Sequence, residues 1–180
     1  MALKSTVYKV SLTVSDTERH HYNTYNFTVA CHPSETEGRM CLRLAAFALF
    51  ADEKLSFTRG LCAADEPDLW QKDDTGLINR WIELGWPEEK RISKACGQSD
   101  EMVVVAYGRH TAPWWQTIAD KTTRFKRLVV LDAGEDIIEK LAPLAATNME
   151  ITATISDGLL WFGNADTTVE IPLHYLKERA

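Results

Sequence analysis

The stretch Asp65-Glu66-Pro67-Asp68-Leu69-Trp70, followed after a polar turn by Trp81-Ile82-Glu83-Leu84-Gly85 and then by Pro87-Glu88-Glu89-Lys90-Arg91-Ile92-Ser93-Lys94, decides how this chain is read. An acidic turn, an acidic strand and a basic helix succeed one another here. The pattern predicts strands near Pro67 to Gln71 and Leu77 to Leu84, joined by the turn Asp73-Asp74-Thr75-Gly76. Gly85-Trp86-Pro87 then breaks the second strand, and Pro87 suits the start of a helix running to about Cys96. Two carboxylates on adjacent strands, with cations on the next helix, are what a magnesium-dependent phosphodiester cutter needs. An ion-paired structural edge has the same composition.

Upstream, Val7 to Val14 and Tyr22 to Ala30 alternate with period two around the turn Ser15 to Arg19, which predicts an N-terminal hairpin. Ser34 as N-cap with Glu37 as its capping-box partner then opens a helix to about Asp52. Met40, Leu44, Phe47 and Ala48 form its buried stripe, and Glu35, Arg39 and Arg43 recur along another face. A short strand spans Leu55 to Thr58.

Downstream, Met102 to Tyr107 is a continuous apolar run of the kind buried on both faces of a sheet. A helix from Ala112 to Lys121, a strand from Leu128 to Leu131 and a helix from Glu135 to Leu144 follow, and this alternation implies parallel pairing. Met149 to Ile155, Leu159 to Phe162 and Thr168 to Leu173 read as an antiparallel meander whose first turn is Asp157-Gly158. The expected fold is α/β of mixed α+β character. It is a helix-flanked mixed sheet in one domain spanning residues 1–180, with β additions at both ends.

A chain of 180 residues with 45% apolar composition can bury a substantial core. Asp and Glu outnumber Lys and Arg by 26 to 20, giving a net charge of −6 that repels polyanions, so nucleic-acid binding requires a local basic patch. Lys121, Arg124, Lys126 and Arg127 form one such cluster, and Lys90, Arg91 and Lys94 another. Solvated, ion-paired faces are the favoured reading of both. Cys31, Cys41, Cys62 and Cys96 show no zinc or disulfide spacing and are expected as reduced thiols. With no run of signal-peptide or membrane-span length, a cytoplasmic protein is expected.

The segments His32 to Thr36, Arg39-Met40, Phe57 to Cys62, Asp65-Glu66-Pro67 and Trp81 to Gly85, with Met1 to Lys4 and the Ile155 to Gly158 turn, closely resemble the bacterial YaeQ family along essentially the whole chain. That resemblance implies a variation on the PD-(D/E)XK restriction-endonuclease-like core. It assigns Asp68 as the aspartate of the pattern and Glu83 as its second acid. Where the pattern asks for Lys, this chain has Gly85, so the cation must come from elsewhere, with Lys94 and Arg91 on the following helix as the candidates. Glu35 resembles the extra acid of many such nucleases. Asp68, Glu83 and Glu35 would then be the ligands of a Mg²⁺ ion.

Other residues have more local readings. Glu35 also fits a first-turn acid paired with Arg39, and Arg39 and Arg43 are expected to anchor Glu35 and the acidic turn Asp65-Glu66. His32 is expected to make a local contact, Cys62 to be buried, and one of Trp114 and Trp115 to be core while the other faces out. Three function classes follow. The first is a metal-dependent nuclease with a migrated cation. The second is a catalytically degenerate relative that binds nucleic acid or protein, and the third a scaffold whose C-terminal meander presents an edge strand.

Overall fold

The computed structural model describes residues 4–180, so Met1-Ala2-Leu3 of the resemblance lies outside the described residues. In chain order the elements are β1 (Thr6–Asp16), β2 (His21–Cys31), α1 (Glu37–Leu49), β3 (Leu55–Phe57), β4 (Leu69–Lys72), β5 (Ile78–Leu84) and α2 (Glu89–Gln98). They continue with β6 (Ser99–Ala106), α3 (Thr111–Ile118), β7 (Leu128–Asp132), α4 (Ile137–Leu141), β8 (Asn148–Ser156), β9 (Leu159–Gly163), β10 (Thr168–Pro172) and β11 (His174–Lys177). No helix among the described residues is long and apolar enough to cross a membrane.

Two compact units form, one from the described residues up to Ala51 with Asp136–Leu173, the other from Asp52–Glu135 with His174–Ala180. Each has its own sheet, which corrects the expectation of one sheet with additions at both ends. In the first unit the order is β10-β9-β8-β1-β2. The hairpin and the meander are one sheet because β1 pairs parallel with β8, Lys9 lying opposite Asn148 and Asp16 opposite Ile155. Leu12, Val14, Ile151, Ala153 and Phe162 point to the buried face, as the period of two requires.

Helix α1 is buried over nearly its whole length, from Met40 to Ala48. Its N-cap is Thr36, whose hydroxyl accepts from the Arg39 amide at 3.1 Å, rather than Ser34. The Ser34 hydroxyl is instead 2.6 Å from His32 Nδ1, the local contact expected of that histidine. At Gly38, α1 passes so close to the Ile138 carbonyl of α4 that a Cβ would have no room.

In the second unit the order is β11-β7-β6-β5-β4-β3. β5, β6 and β7 are parallel, with α2 and α3 as their connections, whereas β3, β4 and β11 add antiparallel strands at the edges. Trp81, Met102, Val104, Leu128 and Val130 pack against Ile92 and Ala95 of α2 and Ile118 of α3. Ile82, Val103, Val105 and Leu131, at the alternate positions, are buried too, as the continuous apolar run of β6 predicts.

Candidate functional site

β4 and β5 place the acidic residues. Leu69 is opposite Ile82 and Trp70 opposite Trp81, and Asp68 stands just before β4, alongside the end of β5. The Asp68 amide donates to the Ile82 carbonyl at 3.0 Å, one residue out of step with that register, and the Asp68 charge is felt at Glu83, so the two acids are neighbours without standing squarely opposite one another. Both acids are buried, Asp68 to 7% and Glu83 to 6% residual exposure.

Buried carboxylates need partners, and both have them. Asp68 Oδ2 accepts the Leu84 amide at 2.8 Å. Glu83 Oε1 accepts the Trp81 indole N–H at 2.8 Å and the Arg91 Nε at 2.6 Å. Burial pushes the Glu83 carboxyl above its ordinary range; the Trp81 hydrogen bond and the Arg91 charge act against that rise, and the Asp68 charge adds to it.

Arg91 also reaches beyond Glu83. Its remaining nitrogens donate to the Ala64 carbonyl and, at 2.9 Å, to the Glu66 carbonyl, so one guanidinium ties α2 to both the acidic strand and the acidic turn. The side chain of Glu66 is held separately by Arg59 at 3.0 Å, which lowers the Glu66 carboxyl below its usual range. In the first unit Arg39 and Arg43 bind Glu35, as expected of them, Arg39 at 2.9 Å and Arg43 through both carboxylate oxygens at 2.8 Å.

Of the sequence-predicted residues, Asp68, Glu83 and Arg91 therefore come together in the second unit. Lys94, one turn further along α2, is exposed, and among the described residues it has no hydrogen bond or ion pair. Glu35 belongs to the first unit and lies within its arginine pair. Among the described residues no three of His, Cys, Asp and Glu are grouped so as to hold a metal ion. At Gly85 the backbone has φ +120°, a conformation strained for any side chain, which explains why no lysine stands two residues after Glu83.

The remaining expectations divide. Cys62 is exposed rather than buried, because it lies in a one-turn 3₁₀ helix with no buried residue. Trp114 and Trp115 are both partly buried against the second unit's core, and the Trp114 indole donates to the Pro87 carbonyl at 2.9 Å, so the expected division between them is corrected. Arg124 pairs with Glu89 at 3.3 Å and Arg127 with Asp100 at 3.7 Å, the ion-paired face expected of that basic cluster. Trp81 was absent from the expected site. Its signal is legible in hindsight: Trp-x-Glu in a strand puts the indole N–H and the carboxylate on one face.

Comparison with known proteins gives a consistent result. The family model for YaeQ protein matches residues 1–173. The chain is 42% identical over 174 residues to the "Uncharacterized protein YaeQ" of Escherichia coli (strain K12), covering 96% of each. It is 43% identical over 174 residues to that of Salmonella typhi, again covering 96% of each. The crystal structure of the YaeQ protein from Xanthomonas axonopodis pv. citri matches with a TM-score of 0.93 at 40% identity, over 96% of this chain and 98% of that one. The YaeQ protein from Pseudomonas syringae matches with a TM-score of 0.92 at 31% identity, over 97% of each chain.

Proposed function

This chain belongs to the YaeQ protein family, and from that premise and the neighbouring acids Asp68, just before β4, and Glu83, in β5, we propose a metal-dependent, nuclease-like phosphodiesterase of PD-(D/E)XK type whose active-site cation has moved to α2. The observation that carries the reading is the meeting of Asp68, Glu83 and Arg91, two buried acids and one cation on the helix that follows. Two carboxylates match the one or two that Mg²⁺ takes from protein, with water and substrate oxygens completing its shell. When bound, Mg²⁺ supplies polarisation of the phosphodiester and a more acidic water. Within this reading the Leu84 amide orients Asp68, the Trp81 indole orients Glu83, and the Arg91 fork stabilises charge on phosphoryl oxygens. Lys94, exposed on α2, meets the nucleic-acid backbone. Glu35, the third candidate ligand, is held in the first unit by Arg39 and Arg43. A cytoplasmic setting accords with such a substrate.

A second reading, a catalytically degenerate relative that binds nucleic acid or protein without cutting it, is favoured by the bonds already made. Glu83 Oε1 receives two donors and Asp68 Oδ2 a third, all of them protein groups. Incubation of labelled single- and double-stranded DNA and RNA with the protein and Mg²⁺ or Mn²⁺ separates the two. The nuclease reading expects cleavage that falls by about a hundredfold or more in Asp68→Asn. Intact substrates bound with steep salt dependence would instead establish the binding module.

A further inference from the structure

The sheet of the first unit ends at β2, and that edge differs from the others. Edge strands present unpaired amides and carbonyls, and soluble proteins guard them with shortness, charge, proline or bulges. β10 at the opposite edge carries Glu170 and Pro172. In the second unit β11 is short, ends in Lys177 and has a register shift, and β3 has only three residues. β2 has none of these protections. It runs for 11 residues, His21-Tyr-Asn-Thr-Tyr-Asn-Phe-Thr-Val-Ala-Cys31, without an acid, a lysine, an arginine, a proline or a glycine. Its pairing with β1 is continuous and free of bulges.

The outward direction of this backbone can be read from its contacts. The Thr24 amide donates to the Asn23 side chain at 2.9 Å, and the Ala30 carbonyl accepts from Arg43 at 2.7 Å, so the even-numbered residues of β2 turn their backbone groups away from β1. The 3.1 Å contact between the Thr13 and Thr24 hydroxyls agrees, since side chains approach most closely where a pair exchanges no backbone bonds. The outward groups of Asn26 and Thr28 have no partner among the described residues.

We propose that β2 is a self-association edge, pairing antiparallel with β2 of a second copy about a twofold axis at Asn26, the midpoint of the strand. The occupant is chosen by the side chains this register brings together. Around an Asn26–Asn26 centre, Thr24 meets Thr28 and Tyr25 meets Phe27, each pair occurring twice. Thr–Thr and aromatic–aromatic pairs are the favourable cross-strand combinations, and no charge opposes another. Tyr25 and Phe27, both half-buried against Phe47 with ring centroids 5.0 and 5.1 Å away, would gain cover on their outer side. The chain's net charge of −6 acts against association in general, yet β2 itself contributes nothing to it.

The test is the mass of the full chain by light scattering during size exclusion, for wild type, Asn26→Lys and Asn26→Asp. Wild type is expected at twice the 20.4 kDa chain mass. Each single variant sets like charges directly opposite one another and is expected to weaken the dimer by about tenfold or more. An equal mixture of the two variants should restore it, because only this register apposes residue 26 with itself. Should a position-26 variant lose its folded spectrum, the double variant T24K/T28K makes the same test on the exposed face. A wild type at 20.4 kDa would leave the edge to a foreign strand and overturn the proposal. So would a dimer indifferent to these charges, which would use another surface.

Discussion

Glu83 is a carboxylate whose stability depends on its neighbours, and the most consequential of these is Arg91. Removing one partner of a buried ion pair strands the other, at a cost of about 3–5 kcal/mol when both are fully enclosed. The Arg91 side chain retains 35% exposure, so solvent screening reduces that figure, and Arg91→Ala is expected to cost about 2 kcal/mol in urea unfolding at neutral pH. Arg91→Lys should recover only part of this, because an ammonium cannot span Glu83 and two loop carbonyls as the planar fork does. The Glu83 carboxyl also predicts a pH dependence. Its folded pKa lies above the ordinary 4.5, so the folded chain holds the proton more tightly than the unfolded chain. The resulting stability is fully present below 4.5 and is lost as pH rises from there through the folded value. Thermal melts of Glu83→Gln, which is neutral throughout, should therefore gain on wild type as pH rises beyond 4.5. A gap that stays constant over that rise would contradict the assignment of burial as the main cause.

Helix α1 shows how local signals compete. Ser34 and Glu37 have capping-box spacing, but His32 captures the Ser34 hydroxyl and leaves Thr36 to receive the Arg39 amide. Thr36→Ala is expected to lower stability by about 1 kcal/mol, and Ser34→Ala by much less, in chemical denaturation. Gly38→Ala should cost about 1–3 kcal/mol, because its methyl would overlap the Ile138 carbonyl and force α1 and α4 apart. The β4–β5 hairpin, by contrast, was legible from its turn. Asp73 Oδ1 accepts the Thr75 and Leu77 amides at 2.8 and 3.0 Å, a use of aspartate that residue type alone announces. β11 was not legible: His174–Lys177 has no clear alternation, and what makes it a strand is the open edge of β7.

For the whole molecule, alternation identified most strands but could not say which would meet. Lys9 pairs with Asn148 across most of the chain, and periodicity carries no information about so distant a partner, so alternation alone does not divide the strands between two sheets. The acidic site is more legible, because one hairpin brings Asp68 alongside Ile82 and Glu83 and the next helix brings Arg91. Lys94 could not be separated from Arg91 by spacing alone, as both lie on α2 within a turn of each other. Deleting His174–Ala180 should uncover β7, and hydrogen exchange should then show lost protection at Val130 to Asp132, the residues that pair with β11. Calorimetric titration of the full chain with Mn²⁺ shows most directly whether Asp68 and Glu83 hold a hard divalent cation. Wild type is expected to bind a single equivalent saturably and Asp68→Asn to lose that binding; a wild type that takes up no Mn²⁺, or an Asp68→Asn variant that binds it equally well, would contradict a metal role for these acids.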